Sequence, residues 1–326
     1  MPSDRLHIVL QALREADALL VTSHINPDGD AVGSMLATSL LLRAMGKTRV
    51  ACVMHDPVPN IYAWLPGVDS IGMPGDHAAP FDTIVILDAS RLTRIGSVAD
   101  LVPEGAKVIV IDHHIDDTPD GAVVLRDETY AATGEIVCEL YEAAGAPLSR
   151  DAAICLYVAL ATDSGHFKYP ATSPRTHRYA AALLEQGADA AAIAEALCDQ
   201  MPRTQYRLIG RVMSNTRFVE HNRAALMTIT QRDVAETGAD DQDLSNIANL
   251  ARQVAGVEVA MLFREIGART TKVSFRSRAT FNSAAFLRQF GGGGHAGAAG
   301  ATFEASLDEA RATVLDRLKA YYGDAR

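Results

Sequence analysis

The 326-residue sequence predicts an α/β protein of two domains: a parallel sheet with helices on both faces, joined by a helical connector to a smaller α/β domain. Three observations carry this prediction. Apolar runs of strand length alternate with helical patterns in the first half, an alanine-rich stretch begins near residue 188, and the remainder mixes strands and helices. The length points the same way, because single domains usually hold about 100 to 200 residues.

The elements follow in order. ALLVTSH (18–24), RVACVM (49–54), DTIVILD (82–88) and KVIVIDHH (107–114) read as strands. Between the first pair, DAVGSMLATSLLLRAMG has the length of a helix and a glycine stop at Gly46. Helices are expected at 133–145, 151–161 and 174–186. The first domain is placed at 1–187, the connector, with Pro202 as punctuation, at 188–214, and the second domain at 215–326. In that second domain RAALMTIT, VEVAMLFREI, TKVSFRSR and ATFEA read as strands, with helices near 241–255, 282–290 and 307–322.

Composition excludes several classes. The net charge of −10 opposes long-range attraction to a polyanion, so a nucleic-acid substrate is expected to be short and long nucleic acid is not expected as a partner. No apolar run reaches the roughly 18 to 20 residues that span a bilayer, and MPSDRLHIVLQALREAD carries charge where a secretion signal is apolar. A cytoplasmic location without a membrane partner is the expectation. Cys52, Cys138, Cys155 and Cys198 are widely spaced, which disfavours a disulfide framework or a cysteine-ligated zinc.

Parallel sheets place ligands at the carboxyl ends of their strands. Four polar clusters fall there or at an analogous helix end: His24, Asp28 and Asp30; Asp88; Asp112, His113 and His114; and Asp163. Each has an ordinary explanation by itself. Asp30 would serve as an N-cap, Asp88 as a turn residue, and the paired histidines as surface side chains. One metal centre accounts for all four at once. Carboxylates and imidazoles without a thiolate favour a hard or borderline divalent ion, manganese or magnesium. Four carboxylates and two imidazoles from these clusters exceed what one catalytic ion needs, whereas two ions about 3.5 to 4 Å apart would use them, acidify water and stabilise charge growing on phosphorus.

A second motif is FGGGGHAGAAG at 290–300. Its glycines, Gly291, Gly292, Gly293 and Gly294, allow tight turns and close backbone approach, and their N–H groups suit an anion-binding concavity beside a helix start. His295 adds a donor, Arg276 offers a bidentate phosphate grip and Ser277 a hydroxyl. The alternatives are a flexible linker for the glycines and a surface charge for Arg276.

HINPDGDAVGS, ILDAS, IDHH and ATDSG, in this order, resemble the motifs of the DHH phosphoesterase superfamily, and VSFRSR with FGGGGHAGAAG resembles the nucleotide-binding signature of its DHHA1 domain. The resemblance implies metal ligation by His24, Asp28, Asp30, Asp88, His113 and Asp163, with Asp88 as the bridge. It implies catalytic roles for Asp88, Asp112 and His114, with Asp112 orienting its neighbours and His114 near a substrate phosphate. Substrate contacts fall on Arg276, Ser277, Gly291 to Gly294 and His295, across a cleft between the domains. The implied cofactors are two divalent ions, manganese first, with magnesium or cobalt as alternatives.

Within the superfamily the sequence lacks the basic motif of inorganic pyrophosphatases, the added module of RecJ-type exonucleases and the membrane segments of cyclic-dinucleotide phosphodiesterases. It is similar to the compact NanoRNase group. That likeness implies hydrolysis of RNA of about two to five nucleotides and removal of the 3′-phosphate from phosphoadenosine phosphate, a nucleoside bisphosphate. Turnover of linear or cyclic dinucleotides, and a non-catalytic nucleotide sensor, are the competing readings. A homodimer is compatible with the group, although the sequence carries no interface pattern. His166, in ATDSGHF, is either a substrate contact or without a role.

Overall fold

A computed structural model describes residues 3–76, 80–115, 117–240, 244 and 247–323. The chain divides into two compact units, Met1–Gln200 and Met201–Arg326. In the first, α1 (Ser3–Glu15), β1 (Ala18–Thr22), α2 (Gly29–Ala44), β2 (Arg49–Val53), β3 (Ile71–Gly72), β4 (Thr83–Leu87), β5 (Lys107–Asp112) and β6 (Val123–Arg126) precede α3 (Thr133–Ala144), α4 (Arg150–Asp163), α5 (Pro174–Glu185) and α6 (Ala190–Cys198). The six strands lie in the order β3-β2-β1-β4-β5-β6, and every pairing is parallel.

Alternation along the strands assigns each face. Leu19, Val21, Val85, Leu87, Ile109 and Ile111 point into the core built with α1 to α4, while Leu20, Ile84, Ile86 and Val110 point to the other side. There Ile95 and Val98, on short 3-10 helices at Leu92–Arg94 and Gly96–Leu101 or between them, cover the sheet. β3 and β6 escaped the sequence reading because two and four residues are too short for a periodic signal.

α2 is buried around most of its circumference, between the sheet and α3 and α4. Glycine permits its closest contact. A Cβ at Gly33 would stand 2.3 Å from the Cys155 carbonyl oxygen, and one at Gly29 would stand 2.5 Å from the Thr162 side chain. These approaches bring the N-terminal turn of α2 beside the C-terminal turn of α4, where Asp163 lies. Asp28, not Asp30, caps α2: its carboxylate accepts the Ala31 N–H at 3.0 Å. Asp30 sits one turn position inside, which frees its side chain for other partners.

The second unit comprises α7 (Arg203–Ser214), β7 (Arg217–Val219), β8 (Ala224–Ile229), α8 (Gln231–Thr237), α9 (Ile247–Arg252), β9 (Val259–Gly267), β10 (Thr270–Ser277), α10 (Ser283–Arg288), β11 (Gly293–His295), β12 (Ala298–Phe303) and α11 (Leu307–Gly323). Its mixed sheet runs β11-β12-β10-β9-β8-β7, with only β8 and β9 parallel. Phe263, Phe275, Phe281 and Phe286 pack with α11 on one face, and Leu262 and Ala260 meet Leu208, Val212 and Ile247 on the other. Of the helix expected at 241–255, residues 241–243, 245 and 246 lie outside the described residues, and α9 is the described part. Within the stretch read as a connector, Ile193 of α6 joins the first unit's core and Leu208 and Val212 of α7 join the second's.

Gly33→Ala is expected to destabilise the chain by about 1 to 3 kcal/mol, the usual cost of overpacking, because the obstacle is backbone rather than a flexible side chain. Thermal unfolding measures it; an unchanged midpoint would contradict the close α2–α4 contact.

Candidate metal centre

The strand order reverses direction between β1 and β4, and in open α/β sheets ligands bind at the carboxyl ends of the strands at such a switch point. The loops leaving those two strands are tied together. Ser23 Oγ donates to the Leu87 carbonyl at 2.7 Å, and the Ile25 N–H donates to the Arg94 carbonyl at 2.7 Å. Asp88 leaves β4 with φ of 56°, a left-handed conformation uncommon outside glycine and costly unless its surroundings enforce it. Its N–H donates to the Ile111 carbonyl at 3.0 Å, which fixes the turn.

The two oxygens of Asp88 face different partners. Oδ2 lies 3.3 Å from His24 Nε2, which is itself 3.8 Å from Asp28 Oδ1. Oδ1 lies 3.5 Å from His113 Nε2 and 3.4 Å from His114 Nδ1. His113 Nε2 in turn lies 3.2 Å from Asp163 Oδ2 and 3.9 Å from Asp30 Oδ2. The donors form three overlapping groups: His24, Asp28 and Asp88; Asp30, His113 and Asp163; Asp88, His113 and His114. In each, one ligand atom per residue lies within 4.8 Å of the others. Asp30 and Asp88 are buried, whereas the side chains of Asp28 and His114 are half exposed, so the cluster opens on one side.

Charge in this space is poorly balanced by protein alone. Burial pushes the Asp30 carboxyl well above its ordinary range, and the charges of Asp88 and Asp163 push it further. Burial likewise raises Asp88 against the pull of His24. Burial lowers the His24 and His113 imidazoles, but the carboxylates that face them, Asp28 and Asp88 in one case and Asp163 in the other, prevail, raising each to about 10. Asp28 is lowered, because the facing His24 imidazole and the bond from the Ala31 N–H outweigh burial.

The residues fit divalent ions. His24 Nδ1 and His113 Nδ1 lie 2.9 and 3.1 Å from the carbonyls of Ile25 and Tyr130, an arrangement that leaves each Nε2 lone pair to face the carboxylates. His113 Nε2 is buried without a hydrogen-bond partner, an omission that a coordinated cation would remove.

Around Asp112 and His114, which the sequence reading names, stand several supporting residues that it did not single out: Ser90, Tyr130, Thr133, Gly134 and Arg175. Asp112 is fully buried; its Oδ2 accepts from Ser90 Oγ at 2.5 Å, and its Oδ1 accepts the His114 N–H at 3.0 Å and lies 3.0 Å from His114 Nδ1. Those bonds from His114 and Ser90 lower Asp112 despite burial, and the bond with Asp112 raises His114. Thr133 Oγ1 donates to Asp88 Oδ1 at 3.1 Å, while the Thr133 and Gly134 N–H groups donate to Asp30 at 2.6 and 2.9 Å. Asp30 thereby satisfies orphan donors at the start of α3, whose own N-cap, Ala132, offers no side-chain bond. From α5, Arg175 donates to buried Glu135 at 2.9 Å and to the Thr129 carbonyl at 2.6 Å, and lies over the Tyr130 ring at 3.5 Å. It holds the segment whose Tyr130 carbonyl orients His113. TGE before an apolar run was the available signal for the α3 contacts; no local signal marks Arg175.

The remaining expected residues lie in the second unit. Ser277 is buried and its hydroxyl is engaged by the Phe281 and Ala296 carbonyls and by Ser283 Oγ, so it braces the polypeptide rather than offering a free donor. The glycine tract requires a correction: it follows the C-terminal end of α10 and forms the edge strand β11, instead of preceding a helix start. Cβ atoms at Gly292 and Gly294 would each come within 2.5 Å of a carbonyl oxygen, of Gly300 and Ala298, so these glycines serve the close β11–β12 pairing. His295 is exposed at the end of β11. Arg276 is partly buried, pushed down by burial and by the charge of Arg252; its Nη1 donates to the Phe275 carbonyl at 3.0 Å, and no carboxylate pairs with it among the described residues. His166 Nε2 lies 3.3 Å from Cys198 Sγ.

A six-stranded parallel sheet with this acidic and imidazole cluster at its switch point, followed by a mixed-sheet unit, defines a two-domain phosphoesterase. Residues 18–160 match the DHH family, N-terminal domain, and residues 223–323 match the DHHA1 domain. The chain belongs to the DHH family, in its NrnA-like group, and is a phosphoesterase. It is 32% identical over 320 residues to the bifunctional oligoribonuclease and PAP phosphatase NrnA of Thermus thermophilus, covering 97% of this chain and 94% of that protein. It is 26% identical to the protein of the same name from Bacillus subtilis, covering 92% and 93%. Among solved structures, an exopolyphosphatase-related protein from Bacteroides fragilis superposes with a TM-score of 0.90 at 26% identity, over 98% of this chain and 97% of that one.

His24, His113, Asp30 and Asp88 all bind protons more tightly folded than unfolded, so their contribution favours the metal-free fold at low pH and is lost as pH rises. For the imidazoles the loss falls between 6.5 and about 10, outside the acidic range where Asp28 and Asp112 contribute. After EDTA treatment the melting temperature should decline from pH 7 to pH 10, and added manganese should flatten the decline. Calorimetry checks this; a metal-free midpoint that climbs over that interval contradicts it.

Proposed function

We propose that the chain hydrolyses RNA of about two to five nucleotides to mononucleotides and removes the 3′-phosphate from phosphoadenosine phosphate. The observation that carries this reading is the placement of Asp88 between two histidine and carboxylate groups, from which it could bridge two cations. His24, Asp28 and Asp88 would hold one ion and Asp30, His113, Asp163 and Asp88 the other, with manganese as the ion best matched to a mixed carboxylate and imidazole set. Bound there, divalent ions supply acidified water and neutralise charge on the phosphate.

The chain's own residues do the rest. Thr133 and the α3 N–H groups hold the carboxylates of Asp88 and Asp30 in place. Asp112 holds His114, and with its pKa raised by that bond the half-exposed imidazole is suited to donate to a phosphate oxygen at the open side of the cluster. Arg276, with the Arg252 charge nearby and no paired carboxylate among the described residues, is proposed to bind a nucleotide phosphate in the second unit, with His295 and the glycine tract beside it. The names of the NrnA relatives support the substrate class, and the net charge of −10 supports short rather than long RNA.

Comparison of 5′-pApA, phosphoadenosine phosphate, a cyclic dinucleotide and pyrophosphate with added manganese tests the assignment. The first two should be turned over best; a preference for pyrophosphate would overturn it, and binding without turnover would favour a sensor. Asp88→Asn should lower kcat at least about 100-fold while the protein stays folded, as judged by circular dichroism. Undiminished turnover would remove Asp88 from the bridging role.

A further inference from the structure

The turn after Asp163 is strained and carefully braced. Gly165, His166 and Phe167 take successive φ values of 60°, 57° and 62°, and only the first is glycine. Buried Ser164 holds them: its hydroxyl accepts the Phe167 N–H at 2.9 Å, and its carbonyl accepts the N–H groups of Lys168 and Tyr169 at 3.0 and 2.9 Å. Phe167 stacks on His177 with ring centroids 5.4 Å apart. The outcome of this bracing is the position of Tyr169.

The Tyr169 ring lies flat against Gly165. A Cβ on Gly165 would stand 2.5 Å from Cζ and 2.6 Å from both Cε1 and Cε2; near-equal distances to three ring carbons place that point over the ring face, not beyond its edge. Glycine is therefore required at 165 both for its φ and for the room above it. Tyr169 nevertheless remains 52% exposed, and no other ring stacks on it among the described residues. A tyrosine that is half in solvent gains little from core packing, so its own burial is not what the turn secures. Gly165 is two residues from Asp163, so their Cα atoms are at most about 7 Å apart. A partly exposed aromatic ring is thus tethered within a short reach of Asp163, one of the clustered carboxylates.

We propose that Tyr169 is a stacking platform for one nucleobase of the substrate, its ring held between the Gly165 backbone and the base of a nucleotide whose phosphate lies at the cluster. This rests on the reading that short RNA is the substrate. Stacking tolerates every base, because each has a π-face.

The test uses the full chain with manganese, 5′-pApA, and two analogues of it that each lack one base. Tyr169→Ala should raise KM for pApA about tenfold, and Tyr169→Leu, which keeps an apolar contact on Gly165 without a π-face, should resemble it. Tyr169→Phe should stay within twofold of wild type. Loss of the stacked base should cost the wild-type chain a similar factor and cost Tyr169→Ala nothing more, the non-additivity expected of groups in contact. A KM in Tyr169→Ala and Tyr169→Leu within twofold of wild type, or losses that add for both analogues, would overturn the platform and leave the RNA reading intact. A wild-type chain that leaves pApA uncut would overturn both.

Discussion

The arrangement on which the rest depends is electrostatically unfavourable for a protein without cations: the carboxylates of Asp28, Asp30, Asp88 and Asp163 crowd around the imidazoles of His24 and His113 at the end of a sheet. Two of these carboxylates, Asp30 and Asp88, are buried. Moving such groups out of water costs several kcal/mol each unless opposite charge compensates. Without cations that compensation comes from protons, held on the imidazoles far above their ordinary range. Divalent cations offer denser charge at the same positions, and coordination would also satisfy the buried His113 Nε2.

The fold sustains this crowding through rigid neighbours. Glycines in α2 let it approach α4 closely, which brings Asp30 and Asp163 to the same place. The first N–H groups of α3 meet Asp30, so a helix terminus that lacks its own cap is satisfied by a distant aspartate. Arg175 clamps the segment before α3 through Glu135, the Thr129 carbonyl and the Tyr130 ring. That one segment contacts His113, Asp88 and Asp30, which makes it the common brace of the site.

The glycine tract illustrates how one composition serves two geometries. Glycines permit close backbone approach, and from sequence that freedom fits a phosphate concavity at a helix start as well as it fits a tight strand pair. The structure uses it for the β11–β12 pair, directly after α10. Ser277 is similarly redirected, with its hydroxyl turned to the carbonyls that hold this region. Arg276 keeps a charge uncompensated by carboxylates among the described residues, a state compatible with an anionic ligand.

The sequence alone determined the strands β1, β2, β4 and β5, the helices α2 to α5 though not α1, and the residues at the strand ends, because buried strands impose continuous apolar runs that stop where polar ligands begin. It also determined which side chains have the chemistry of a metal site, since donor type is a property of the residue itself. It did not determine the strand order, the short strands β3, β6, β7 and β11, or the roles of Thr133, Tyr130 and Arg175. Those depend on contacts between residues far apart along the chain, as in the approach of Thr133 to Asp30, 103 positions away. Only tertiary packing decided that Asp28 rather than Asp30 caps α2, because the cap follows from where the helix begins, while Asp30 is drawn away by the unsatisfied N–H groups of another helix.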